Sequence, residues 1–80
     1  LAIDGEGFFV IQTPEGLRFT RNGNFTLNEE NQLVTKSGNL VMGEAGPIQL
    51  FDGDFEVKQN GDIFQNGNLI DRLSIVTFPK

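Results

Sequence analysis

Apolar and polar residues alternate with a period of two along most of this chain, and Gly, Asn or Asp interrupts the alternation every six to ten residues. Successive side chains of a β-strand point to opposite faces, so the pattern fits strands with one buried side. No window holds apolar residues at i, i+3, i+4 and i+7 for even three turns, which removes amphipathic helices. The expected fold is all-β, a small sandwich or partly closed barrel of short antiparallel strands and hairpins. Strands are predicted at 7–12, 17–20, 24–28, 32–35, 40–42, 48–50, 55–58 and 62–65, with a longer one over 69–78.

The interruptions read as turns: PEG (14–16), RNGN (21–24), NEEN (28–31), KSGN (36–39), EAGP (44–47), DGD (52–54), QNGD (59–62) and QNGN (65–68). Both central residues of the tightest hairpin turn need positive φ, which Gly accepts freely and Asn at small cost. Each of the three Asn-Gly pairs is therefore predicted to reverse a strand. This explanation is conformational and needs no ligand.

The chain also resembles itself. GNFTLNEENQLV from Gly23 aligns with GDFEVKQNGDIF from Gly53 at an offset of thirty, pairing Phe25 with Phe55, Leu27 with Val57 and Leu33 with Ile63. After a slip of one residue, GNLV from Gly38 aligns with GNLI from Gly67. Each copy reads as a hairpin followed by a third strand. Two copies are too few for a solenoid, so a pseudo-symmetric sandwich or small barrel is expected, with those six apolar residues facing inward.

Eighty residues make one domain, which buries only about 60% of the surface of its unfolded chain. Without Cys, no disulfide or thiolate metal site can reinforce it, and eight Phe supply most of the apolar bulk. Phe8 and Phe9 are neighbours on a predicted strand and must face opposite ways. One belongs in the core, the other under a loop or at an interface. Eleven acidic residues against six basic give a formal charge of -5, spread along the chain, which argues against nucleic-acid and anionic-membrane partners. No apolar run approaches the roughly 20 residues of a membrane span, and the first residues lack the basic lead and apolar centre of a signal peptide. Both ends lie in strand-like sequence, and the whole is read as one β domain, 1–80, from the middle of a longer subunit.

The sequence offers little chemistry. Asp4 with Glu6 and Asp52 with Asp54 are carboxylate pairs at i and i+2, but a Gly between the members makes them turn residues, not a general acid and base. The hydroxyls of Thr13, Thr20, Thr35 and Ser37 have no His or Cys to activate them. Counted from Asp52, the sixth and twelfth positions of a calcium loop fall on Val57 and Ile63, where Gly and Glu are needed. GEGFFV lacks the third Gly of a dinucleotide loop, and Asn24-Phe25-Thr26 is a lone glycosylation triplet. Catalytic residues, cofactor and metal are all expected to be absent. Exposed rings that stack on sugars give a rival reading, a carbohydrate- or ligand-binding module of a cell-surface protein. Sugar faces favour Trp and Tyr, however, and Phe alone suits a core better.

The order of the pieces resembles the central domain of bacterial flagellar rod and hook proteins. The matching residues are Leu1, Gly5, Gly7, Phe8 and Phe9; then Phe19, Thr20, Arg21, Gly23 and Phe25 in FTRNGNF; then Leu33, Val34, Thr35 and Gly38; then Val41, Met42 and Gly43. Phe19 stands where Tyr is common, and 44–54 leaves no room for the large inserted domain of hook subunits. The resemblance is therefore closest to a proximal-rod type subunit. It implies a structural protein, exported by the flagellar export apparatus without a cleaved signal and located in the basal body outside the cytoplasm. It also implies terminal helices beyond this chain, neighbouring copies and other axial subunits as partners, and no enzymatic activity. Stripped of those helices, the fragment is expected to be monomeric. Phe8, Phe9, Phe19, Thr20, Arg21, Gly23 and Phe25 form the candidate interface or structural motif, with Arg21 a candidate partner for a carboxylate.

Overall fold

The computed structural model describes residues 7–78, which leaves Leu1, Gly5 and the Asp4/Glu6 pair outside the described residues. It contains ten strands: β1 (Phe8–Thr13), β2 (Gly16–Thr20), β3 (Phe25–Leu27), β4 (Leu33–Thr35), β5 (Leu40–Gly43), β6 (Gly46–Pro47), β7 (Glu56–Val57), β8 (Asp62–Gln65), β9 (Asn68–Arg72) and β10 (Ile75–Val76). No helix forms among the described residues, and every strand pairing is antiparallel.

The strands form two sheets. The larger has seven strands in the order β10-β1-β5-β4-β3, with β2 added to β1 and β6 to β5, and the smaller has the order β7-β8-β9. β1 anchors the larger sheet: Phe9 pairs with both Thr20 of β2 and Ile75 of β10, and Ile11 with both Arg18 of β2 and Val41 of β5. One edge of β1 is thus filled by β2, and the other is shared by β10 and β5. The two sheets share one apolar core and no barrel closes. Phe9, Leu33, Val41, Ile48, Leu50, Ile63 and Leu73 are buried at its centre, with Phe25, Leu27, Phe55 and Val57 packed against them. All six residues expected inward from the internal repeat are in this cluster.

Three expectations need correction. First, Asn22-Gly23 does not close a hairpin, because β2 pairs with β1 and β3 with β4, so the segment carries the chain from one pairing to another. Second, the strand predicted at 48–50 is reduced to a single bridge between Gln49 and Gln32, and the added strand lies earlier, at Gly46–Pro47. The 48–50 segment spends its backbone on β4 and its turn instead, through Leu33 N–H to Ile48 C=O (3.1 Å) and Leu50 N–H to Asn31 C=O (2.9 Å). Third, the long strand over 69–78 is two strands in different sheets. Between them Leu73 donates to Gly61 C=O (2.9 Å) and Ser74 to Met42 C=O (3.0 Å), so the backbone changes partners where it crosses from the smaller sheet to the larger. Leu73, 2% exposed, seals the core at the crossing.

Candidate functional site

Side-chain alternation on β1 separates the two neighbouring phenylalanines. Phe9 is 1% exposed and meets Phe25 edge-on with ring centroids 5.0 Å apart. Phe8 points to the opposite face, where its ring lies 5.4 Å from that of Phe78. Phe78 in turn meets Phe19 edge-on at 5.1 Å, and the Arg21 guanidinium carbon sits 4.4 Å from the Phe8 centroid. Phe19, Phe78 and Leu17 are each about half exposed, at 45%, 53% and 51%. The larger sheet thus carries a solvent-facing patch of three rings with a cation over one of them. Such ring pairs contribute about 0.5–1.5 kcal/mol beyond their burial, and an exposed cation–π contact about 0.5–1 kcal/mol. Large exposed apolar patches on soluble proteins mark interaction sites.

The FTRNGNF block connects this patch to the core. Thr20 Oγ accepts the Asn22 N–H (3.0 Å), Asn22 Oδ1 accepts the Asn24 N–H (3.0 Å), and Gly23 C=O accepts the Phe25 N–H (3.0 Å). This ladder of local bonds satisfies the backbone of an exposed bend without a sheet partner. It sends Phe19 and Arg21 outward and Phe25 inward against Phe9. Arg21, offered by the sequence as a carboxylate partner, forms no ion pair among the described residues and lies on the Phe8 ring instead.

The ion pair of the smaller sheet lies elsewhere. Asp62 and Arg72 face each other across β8 and β9, and Arg72 Nε donates to Asp62 Oδ1. That hydrogen bond raises the Arg72 guanidinium above its ordinary value and, aided by one from Asn60, lowers the Asp62 carboxyl below its own. Asp71 and Arg72 do not pair through their side chains; Asp71 Oδ1 accepts the Arg72 backbone N–H at 2.7 Å.

The described carboxylates and hydroxyls named above serve as turn and loop groups. Asp52 accepts a hydrogen bond from Asn31 Nδ2 (2.8 Å), and no three acidic residues converge as metal ligands among the described residues. Thr13 Oγ donates to Gly16 C=O (2.8 Å), and Thr35 Oγ accepts the Asn39 N–H (3.3 Å), both as turn groups. Phe55, one of the rings available to a sugar-binding reading, packs against the core.

Sequence reasoning missed Leu17, Phe78 and Gln65. Phe78 follows Val76 by two residues, and that spacing was a signal for a shared face. Gln65 gave none: it is 3% exposed, accepts the Phe51 N–H (2.8 Å) and donates to Phe51 C=O (2.9 Å), pinning the 51–54 loop.

Comparison with known proteins supplies the context. Residues 2–63 match the family described as flagellar hook protein FlgE/F/G D1 domain. The chain is 44% identical over 77 residues to the flagellar basal-body rod protein FlgF of Rhizobium meliloti, covering 92% of this chain and 32% of that protein. It is 38% identical over 79 residues to FlgF of Caulobacter vibrioides, covering 95% and 32%. A shorter match, 48% over 46 residues, joins it to the rod protein FlgG of Bacillus subtilis, covering 58% and 17%. The chain spans about a third of the length of the FlgF relatives, and no solved structure matches it. With the family match running over most of the β domain and near full-length similarity to FlgF, this chain belongs to the flagellar hook and rod protein family FlgE/F/G, as a D1 domain of FlgF type.

Proposed function

We propose that this chain is the central β domain of a flagellar basal-body rod subunit, a structural part with no catalytic role. The observation that carries the reading is the near full-length similarity to proteins named flagellar basal-body rod protein FlgF. The patch of Phe8, Phe19, Phe78 and Arg21 gives it a surface for contact with neighbouring axial subunits. Aromatic rings and Arg are the side chains enriched where protein interfaces concentrate their energy. Phe9, Phe25, Thr20 and Gly23 support that surface from behind. The whole subunit adds terminal segments that polymerise, leaves the cell through the flagellar export apparatus, and resides in the basal body. No cofactor or metal takes part.

Short hairpins and few long loops suit this role. A shaft that transmits torque needs subunits whose surfaces hold their relative positions, and a thin, tightly turned β domain supplies them. Deleting the gene and purifying basal bodies tests the proposal. Rods that fail to mature without the protein, regain it with the wild-type gene, and do so poorly with Phe19→Asp are expected. Normal rods and motility in the deletion strain would overturn it.

A further inference from the structure

The internal repeat extends to the molecular surface. A concavity of about 180 Å3 lies beside the first copy, lined among others by Thr20, Asn22, Asn24, Thr35, Lys36 and Asn39. A second, of about 230 Å3, lies beside the second copy, lined among others by Asp54, Glu56, Gln65, Asn66 and Gly67. Thirty residues separate Asn24 from Asp54, Thr35 from Gln65 and Lys36 from Asn66. The two concavities occupy equivalent places in the repeat and differ in charge.

In the first, three acceptor atoms are already used. Thr20 Oγ, Asn22 Oδ1 and Thr35 Oγ each accept a backbone N–H of the surrounding turns. The groups left without a partner among the described residues are the Asn22 Nδ2, the whole side-chain amides of Asn24 and Asn39, the Ser37 hydroxyl and the exposed Lys36 ammonium, which is the one charge among them. A hollow with donors to spare and a positive charge suits a carboxylate. In the second, Glu56 is held by Lys58 at 3.1 Å, whereas the exposed Asp54 carboxylate has no side-chain partner among the described residues. Only the Asp54 backbone carbonyl is engaged, by Gln65 Nε2 at 3.3 Å.

We propose that the Asn24–Lys36 concavity of one copy receives the Asp54 carboxylate of a second copy. The contact joins two different patches, so it is heterologous. The second copy keeps its own Asn24–Lys36 hollow for a third, and head-to-tail growth follows instead of a closed dimer. An exposed charge pair adds little affinity. Its part is to set the orientation of copies whose main adhesion comes from the aromatic patch. The inference takes its partner, another copy, from the proposed rod role.

The test runs on the 80-residue chain at high concentration, as a mixture of unlabelled and 15N-labelled protein treated with a carbodiimide, which couples amines to carboxylates in contact. The expected product is a peptide joining Lys36 of one label to Asp54 of the other. Lys36→Gln or Asp54→Asn abolishes that link. Asn24→Ala, which leaves both reacting groups in place, lowers its yield roughly two- to five-fold, the change a lost contact in an exposed charge pair produces. Mixing Lys36→Glu chains with Asp54→Lys chains restores a link between the two positions. Lys36 coupled indiscriminately to many carboxylates, or linked to Asp54 only within one label, overturns the inference. Either outcome leaves the rod reading intact, since that reading stands or falls on the deletion strain.

Discussion

The two copies of the internal repeat begin alike and end differently. In the first, Asn28 donates to Gln32 C=O (3.0 Å) and Asn31 to Asn28 C=O (3.0 Å); in the second, Lys58 donates to Asp62 C=O (2.8 Å) and Gly61 to Lys58 C=O (2.9 Å). The residue that needs positive φ is Asn31 at 61° in one and Gly61 at 94° in the other. Register follows the turn, with Leu27 opposite Leu33 and Val57 opposite Ile63. The copies part at the next connection. In the first copy the Thr35 N–H bonds Asn39 C=O (2.9 Å) around three residues, Lys36 to Gly38, whereas Gln65 and Asn68 pair around the two-residue turn Asn66-Gly67, whose φ values of 53° and 77° suit a tight hairpin. One residue fewer in that loop is the slip seen in the sequence alignment.

Beyond that loop the same strand meets two environments. β5 pairs with β1, β4 and β6, and its Leu40 is half-buried, while β9 lies at the edge of its sheet with the matching Leu69 54% exposed. A turn closed by local hydrogen bonds can be duplicated intact. What the following strand pairs with depends on the rest of the molecule.

The largest expected effects test the shared part. Leu33 and Ile63 are both 0% exposed and occupy matching places. Leu33→Ala and Ile63→Ala should each cost about 2–5 kcal/mol in urea unfolding. Costs within about 1 kcal/mol of each other would show that the copies bear the core equally. A much smaller loss at Ile63 would make the smaller sheet an accessory.

Gly43 breaks the comparison, since its counterpart in the second copy is Arg72. A Cβ built on Gly43 would lie 2.5 Å from Asp71 Oδ2 and 2.9 Å from Ile48 Cγ1, at the seam where the two copies meet. Gly43→Ala should cost about 1–3 kcal/mol by overpacking. The same measurement on Gly43→Ala combined with Asp71→Ala should recover part of that loss.

Gln65 and Thr35 sharpen the contrast at a third pair of matching positions. Gln65→Leu removes the partners of the Phe51 N–H and C=O and should cost about 1–3 kcal/mol. Thr35→Ala, which loses one turn bond, should cost about 0.5–1.5 kcal/mol. Faster amide exchange confined to 51–54 in the Gln65 variant would locate the first effect.

The smallest difference concerns acid. Asp62 replaces Gln32 of the first copy, and Arg72 holds its carboxyl below the ordinary value of an aspartate. A lowered folded-state pKa favours the folded form above the unfolded value, and this contribution disappears as pH falls through the folded value. The contribution of this pair should therefore be present in full and constant around neutral pH and should decline below about pH 4. Asp62→Asn should flatten that part of the decline in urea titrations at pH 2–5, and an unchanged slope would remove Asp62 as its source.

Much of this was legible in the chain. Turn residues and period-two alternation depend on nearest neighbours, so nearly every strand, the repeat and its six core residues could be read directly. Asn22-Gly23 misled because Asn-Gly permits a tight reversal without requiring one; here side-chain bonds from Thr20 and Asn22 stabilise an open bend. The candidate patch was half legible. The FTRNGNF block located Phe19 and Arg21, and alternation implied that Phe8 and Phe9 would part. That Phe78 bridges Phe8 and Phe19 required the sheet order, in which β10 lies beside β1.

By itself the sequence determined the all-β class, most of the turns, the inward residues of the two repeated hairpins and the family, all of which rest on residues close together in the chain. Tertiary structure decided which edges meet. It broke the 69–78 strand at Leu73, turned 48–50 into a bridge, buried Gln65 and moved Arg21 onto a ring. Each of these depends on backbone groups and side chains distant in sequence finding partners across a small shared core, and alternation along one strand does not encode where that partner will be.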